Sequence, residues 1–259
     1  MEQDTTQPTG PARYPGAATV EDFARNIAAV RARMTAAAER AGRDAARVRL
    51  LPVSKTVPEE RLRLAVRAGC DVLGENKVQE AKRKAENLAD LDVSWSVIGH
   101  LQTNKARFVA AFASEFQALD SLRVAEALDR RLQAEGRGLD VFVQVNTSAE
   151  ESKYGLPPEE VAAFLARLPQ YGALRVKGLM TLALFTDDAD RVRECFVTLR
   201  TIRDQARQDA PDGIGLDELS MGMSGDYEIA IEEGATVVRV GQAIFGARPT
   251  TDAKYWPGS

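Results

Sequence analysis

The chain has one histidine, His100, and two cysteines, Cys70 and Cys195, in 259 residues. A single imidazole excludes a metal centre built on several histidines, and any Ser-His-Asp arrangement would have to use His100. The two cysteines fall in helical segments far apart in sequence. Neither a disulfide framework nor a zinc site is therefore expected, and the Asn146-Thr147-Ser148 sequon reads as incidental. No apolar run approaches the roughly 20 residues that a membrane helix needs. Aromatic residues make up 6% of the chain and are scattered, without a nucleic-acid stacking pattern. A net charge of −4 gives no electrostatic reason to expect a polyanion or an anionic membrane as partner. The basic run Lys82-Arg83-Lys84 reads as one solvated helix face. The first 18 residues, rich in Thr, Pro, Gly and Gln, lack a signal-peptide core and an arginine-rich amphipathic pattern. Residues 1–18 and 250–259 read as disordered tails around one domain at 19–249, and the expected compartment is the cytoplasm.

A hydrophobic share of 44% with 28% charged residues is ordinary for a globular chain able to bury a substantial core. Short apolar runs alternate with amphipathic stretches. The strand candidates are 48–55, 72–76, 94–99, 116–120, 140–146, 176–182, 218–223 and 237–246. Between them run apolar helical stripes, such as Leu62, Val66 and Cys70, or Val192, Cys195, Phe196, Leu199 and Ile202. An extra helix is expected over about 20–41, with Thr19 at its cap and Gly42 beyond its end. Near-continuous Val/Ile/Leu strands alternating with helices imply a parallel sheet buried on both faces. Eight such units fit an α/β fold, a single (β/α)₈ TIM barrel carrying an extra N-terminal helix. A doubly wound sheet is the alternative.

Lys55 ends the first of these runs, Val48-Arg49-Leu50-Leu51-Pro52-Val53-Ser54-Lys55-Thr56. Thr56 and Glu59 then have capping-box spacing, and Pro58 lies in the first turn of the helix that follows. A lysine there either reaches solvent or holds its amine at a pocket mouth. In the second case desolvation disfavours the ammonium form and leaves more free amine to attack an aldehyde.

Two glycine- and serine-rich segments follow late in the chain. In Leu219-Ser220-Met221-Gly222-Met223-Ser224-Gly225-Asp226, Ser224 can cap a helix or donate to a phosphate. Val238-Arg239-Val240-Gly241-Gln242-Ala243-Ile244-Phe245-Gly246 is a strand with a small, flexible end. On a (β/α)₈ barrel these are the loops after strands 7 and 8, the usual phosphate site, next to strand 1 around the ring. Arg239 inside an apolar strand needs a partner, either a buried carboxylate or the ring nitrogen of a ligand. Gly74-Glu75-Asn76 and Ile98-Gly99-His100 put further polar groups at the same mouth. His100 is equally readable as a hydrogen-bonded structural group. Asn146 and Lys153 follow strand 5, Lys153 as an anion contact or a solvated loop lysine.

Together these segments resemble the YggS/PROSC family of pyridoxal-phosphate homeostasis proteins, related to the barrel domain of alanine racemase. The residues that carry the likeness are Val53-Ser54-Lys55-Thr56, Gly74-Glu75-Asn76 with Val78-Gln79-Glu80, and Ile98-Gly99-His100-Leu101-Gln102 with Asn104-Lys105. Gln144-Val145-Asn146, Ser152-Lys153, Gly178-Leu179-Met180, the 220–226 turn and Arg239-Val240-Gly241 with Ile244-Phe245-Gly246 complete it, over about residues 20–248. The resemblance implies an internal aldimine between Lys55 and pyridoxal 5′-phosphate (PLP). It places the phosphate on Ser224, its backbone neighbour Met223, Gly241 and Gln242, with Arg239 at the pyridine nitrogen, Asn76 near the ring and His100 in the pocket. Two positions depart from the family pattern: Lys77, where an aromatic is common, and Gln242, where a small hydroxyl residue is common. Because the chain ends soon after strand 8, the second domain that supplies the racemase's tyrosine base is expected to be absent. The implied function is a cytoplasmic, monomeric protein that stores PLP and delivers it to PLP-dependent apoenzymes without efficient catalysis. The alternatives are a weak racemase or lyase using Lys55, and a cofactor-free Schiff-base aldolase.

Overall fold

A computed structural model describes residues 14–148, 150 and 154–247. Lys153, residues 1–13 and the segment 250–259 lie outside the described residues. In chain order the elements are α1 (Val20–Arg40), β1 (Arg49–Pro52), α2 (Glu59–Arg67), β2 (Val72–Glu75), α3 (Val78–Asn87), β3 (Ser94–Val97), α4 (Ala106–Phe112) and β4 (Glu115–Leu119). There follow α5 (Leu122–Ala134), β5 (Leu139–Gln144), α6 (Val161–Leu165), β6 (Leu174–Met180), α7 (Ala189–Asp209), β7 (Glu218–Ser220), α8 (Tyr227–Glu232), β8 (Val237–Val240) and α9 (Gln242–Phe245).

Each strand pairs in parallel with its sequence neighbour, and β8 returns to pair with β1, with Leu51 opposite Arg239. The ring is closed between β1 and β2 by one bridge, Val53 to Gly74, with the Ser54 N–H donating to the Gly74 carbonyl (2.9 Å). This is the expected (β/α)₈ barrel. Leu51, Leu73, Val97, Phe116, Val141, Leu179 and Val238 are buried strand residues, and the helices pack their stripes on the outer face. Both cysteines are free and buried, and burial pushes the Cys70 thiol up to about 12. No helix among the described residues is long and apolar enough to cross a membrane.

The extra helix α1 starts at a capping box in which Thr19 and Asp22 satisfy each other's backbone N–H groups (3.1 Å each). Its buried stripe of Phe23, Ile27, Val30 and Met34 contributes roughly 1.5–3 kcal/mol per fully buried large side chain. Phe23 meets Phe245 edge to face (5.7 Å), and the Asn26 side-chain amide donates to the Ile244 carbonyl (3.0 Å). The extra helix therefore braces α9.

Several strands end earlier than expected, among them 48–55, which is a strand only over Arg49–Pro52, and four further differences bear on the mouth of the barrel. Residues 14–18, assigned to the tail by composition, lie against the barrel: Ala17 is buried, its carbonyl accepts from Arg61, and the Tyr14 hydroxyl donates to the Ser224 carbonyl (3.1 Å). The run 237–246 is a strand only to Val240, because Gly241 turns the chain into α9. The run 218–223 ends its ladder at Ser220, since Gly222 takes a left-handed φ of 94° where a Cβ would lie 2.6 Å from that of Ala230. Before α2, Thr56 forms no capping box. It sits at φ 66°, an outlier for a β-branched residue, and Pro58 takes the cap position.

Candidate functional site

In a parallel barrel all carboxyl strand ends open on one mouth, and the sequence-derived candidates follow those ends. Lys55 follows β1, Asn76 follows β2, His100 follows β3, and Met223 and Ser224 follow β7. Arg239 is inside β8, and Gly241 and Gln242 form the turn into α9. The β1 and β8 sides touch directly. The Val53 N–H donates to the Val240 carbonyl (2.9 Å), and a Cβ on Gly241 would sit 3.2 Å from the Val53 carbonyl oxygen.

The side of the mouth carrying Lys55 rests on buried ions that sequence reasoning missed. Lys84, assigned to a solvated face with Lys82 and Arg83, is 1% exposed. Its ammonium donates to the Ser54 carbonyl (2.8 Å), to Glu75 Oε1 (2.6 Å) and to Glu80 Oε1 (2.7 Å). The Ser54 hydroxyl also donates to Glu75 Oε1 (2.7 Å), and the Thr56 N–H donates to Glu80 Oε1 (3.0 Å). Burial raises the Glu75 pKa, opposed by Lys84. For Glu80 burial also raises it, but the bonds from Lys84 and Thr56 outweigh that and hold the carboxyl below its ordinary value. The i, i+4 spacing of Glu80 and Lys84, with an acid ending the apolar β2 run, was the available signal.

On the other flank of Lys55, across the β1–β8 pairing, lies a neutral cup. The Ser224 hydroxyl oxygen accepts from the Gly241 N–H (3.2 Å) and the Ala243 N–H (3.5 Å), so it ties the β7 loop to the start of α9 instead of capping α8. Asp226 holds the cap position of α8 and accepts from the Met223 N–H (2.5 Å). Burial raises its pKa, opposed by that N–H and by Arg239.

Arg239 is 2% exposed and donates to the Ser220 hydroxyl (2.6 Å) and the Thr181 carbonyl (2.6 Å). A relay of polar groups continues across the barrel interior. Ser220 donates to the Gln117 carbonyl oxygen (2.6 Å), the Gln117 amide donates to Glu115 (2.6 Å), and Glu115 also accepts from Ser96 (2.7 Å) and Arg49 (2.6 Å). Burial lowers the Arg239 pKa to about 10, opposed by Asp226 and Glu115, so the guanidinium stays charged at neutral pH.

His100 and Asn76 sit at the ends of β3 and β2. The His100 ring stacks on Tyr154 (4.1 Å between centroids) with Nδ1 3.8 Å from Asp120. Burial raises the Asp120 pKa, opposed by His100. The Asn76 carbonyl lies under Gly99, where a Cβ would come within 2.1 Å of it, so the close approach of the β2 and β3 ends requires glycine. Lys77 is an exposed residue at the start of α3. The Asn146 side chain organises its own loop, donating to the Glu150 carbonyl (3.0 Å) and accepting from Ser148. Among the described residues no group of three or more His, Cys, Asp or Glu side chains could hold a metal ion.

A parallel (β/α)₈ barrel with a lysine at the end of β1 and glycine- and serine-rich loops after β7 and β8 has the layout in which such barrels commonly bind phosphate groups. The family model of the alanine racemase N-terminal domain matches residues 25–249. The pyridoxal phosphate homeostasis protein of Pseudomonas aeruginosa is 44% identical over 226 residues, covering 87% of this chain and 96% of that one. A crystal structure of an unknown protein from Bifidobacterium adolescentis superposes with a TM-score of 0.82 at 34% identity, covering 91% of this chain and all of that one. PipY of Synechococcus elongatus, in a structure with PLP bound, gives a TM-score of 0.76 at 36% identity, covering 86% of this chain and all of that one. The chain belongs to the family of pyridoxal phosphate homeostasis proteins, within the alanine racemase N-terminal domain fold.

Proposed function

We propose that this protein holds PLP reversibly at the barrel mouth and passes it to PLP-dependent apoenzymes, without running efficient amino-acid chemistry of its own. Bound there, PLP would bring an aldehyde that accepts an amine and a pyridine ring that spreads negative charge. Lys55 supplies the amine. Ser224, with the N–H groups that already converge on its hydroxyl oxygen, supports an oxygen-rich phosphate end, with Met223, Gly241 and Gln242 as its neighbours. Asn76 and His100 line the remaining edge.

Arg239 carries the non-catalytic half of this reading. It is held by Ser220 and Thr181, buried, and protonated at neutral pH. A guanidinium that keeps its proton leaves a facing pyridine nitrogen unprotonated, which weakens the ring as an electron sink. The single histidine already stacks on Tyr154 and lies 3.8 Å from Asp120. The reading has the carrier acting as a cytoplasmic monomer that meets client apoenzymes transiently.

The competing reading is a weak racemase or lyase with Lys55 as its base. Incubating the PLP-loaded protein with L-amino acids and scoring D-isomers and keto acids separates the two. The carrier reading expects no turnover above the Lys55→Ala background, together with reactivation of an added apoenzyme. Turnover that vanishes in Lys55→Ala would overturn it.

A further inference from the structure

Burying an ion pair costs several kcal/mol of desolvation, and apolar residues of similar size often serve stability as well or better. The Lys84–Glu75–Glu80 cluster therefore calls for a reason other than stability. Its location supplies one. The β1–β2 seam is closed by one isolated bridge, Val53 to Gly74, that lies outside the strands themselves, and Lys55 emerges from it. Every acceptor of Lys84 belongs to a residue that fixes this seam. The Ser54 carbonyl directly precedes Lys55, and Glu75 directly precedes Asn76 and also accepts from the Ser54 hydroxyl. Glu80 accepts from the N–H of Thr56, the residue directly after Lys55. Both neighbours of Lys55 are thus held, the second one at a strained positive φ that needs outside contacts to persist. The Ser54 carbonyl is shared, because it also accepts from the Val57 N–H (3.0 Å) and closes the turn around Lys55. Glu75 Oε2 is buried without a hydrogen-bond partner among the described residues, so the carboxylate is committed through Oε1 to Lys84 and Ser54.

We infer that Lys84 is a positioning residue for Lys55: its buried ammonium clamps the Ser54–Thr56 backbone so that the Lys55 amine is presented to a carbonyl ligand before that ligand arrives. This rests on the reading that Lys55 is the amine that takes PLP. Lys84 need not touch the ligand. It acts by removing the freedom of the short turn that carries Lys55, and a misplaced reactive group costs far more than the hydrogen bonds lost.

Amide hydrogen exchange on the cofactor-free protein, paired with timed borohydride trapping of added PLP, tests the inference. In the wild type the Thr56 and Val57 amides should be protected like those of β1. In Lys84→Met combined with Glu75→Gln, which removes the two fully buried charges together and leaves only the partly exposed Glu80, the protein should still fold. Thr56 and Val57 should then exchange about a hundredfold faster, and PLP trapped at Lys55 in a fixed time should fall about tenfold. Lys84→Arg, which keeps the cation, should recover most of both. Wild-type exchange and trapping in the double variant would reduce Lys84 to a structural ion pair and overturn the inference. So would a wild-type Thr56 amide that exchanges as freely as an unstructured loop, a result that needs no variant. If the wild type takes up no PLP at all, the carrier reading fails, while the exchange data still judge the clamp.

Discussion

The two sides of the barrel mouth are built from opposite materials. At the β1–β2 seam, where Lys55 emerges, the buried Lys84 meets the buried Glu75 and the partly exposed Glu80. At the β7–β8 cup, a hydroxyl and backbone amides meet around Ser224, with no ionised side chain among these bonds. Each choice suits a different task. A reactive amine needs its backbone fixed from behind, and buried ion pairs are directional and costly to break. A reversible hold on a phosphate needs donors that are ready but individually modest, each neutral bond contributing about 1 kcal/mol. Arg239 stands between the two, a buried cation on the strand that pairs with β1, tied to neutral partners and balanced at a distance by Asp226 and Glu115.

The largest effect expected from breaking this contrast is at Arg239. Arg239→Leu leaves the Ser220 hydroxyl and the Thr181 carbonyl without their donor and cuts the relay to Glu115, which should cost about 3 kcal/mol in urea unfolding. A loss below about 1 kcal/mol would mean that the barrel interior tolerates an apolar residue there and that the relay is incidental. Ser224→Ala should spare the fold and weaken PLP binding about tenfold, or about 1.4 kcal/mol. Unchanged affinity by fluorescence titration would move the phosphate away from the cup.

Asp226 sharpens the contrast through pH. Burial raises its native carboxyl above the ordinary 3.8, so the neutral form is favoured in the folded state. Stability from this group is present below 3.8 and is lost as pH rises through the raised native value. Asp226→Asn cannot ionise and still offers an oxygen to the Met223 N–H. Its stability relative to the wild type should therefore increase as pH rises through that window, read as urea midpoints. Parallel curves would show that the carboxylate is adequately solvated or paired. The smallest effect is expected at Gln242. Restoring a small hydroxyl with Gln242→Ser should tighten PLP binding by only a few-fold, because the backbone N–H groups supply most of the cup in either chain.

Much of the fold was legible in the sequence because a parallel barrel writes itself as short apolar runs separated by amphipathic helices, and periodicity reads both. The strand ends were harder. Val53-Ser54 and Met221-Gly222 still exchange backbone hydrogen bonds with the neighbouring strands although they lie past the strand ends, and Ile244-Phe245 is apolar whether it ends a strand or forms a buried helical turn. Residue type at the mouth was also readable, since Lys55, Ser224 and Arg239 are costly or unusual where they stand. Their surroundings were not. Lys84 looked solvated because a basic run gives no hint of which side chain turns inward, and only Glu75 and Glu80 at the right spacings betray it. Ser224 was readable as a helix cap or a phosphate donor, and sequence spacing could not show that β8 brings the Gly241 N–H within reach of its hydroxyl. His100 was readable as a pocket group or as a structural one, and its stacking on Tyr154 and its approach to Asp120 depend on loops whose placement periodicity does not give.

The most direct test of the central claim is borohydride reduction of the protein mixed with PLP, followed by peptide mapping of the reduced pyridoxyl group. The account predicts one label, on Lys55, with an absorbance band that appears on adding PLP and is absent in Lys55→Ala. A label distributed over surface lysines, or a Lys55→Ala protein that retains the band, would contradict it.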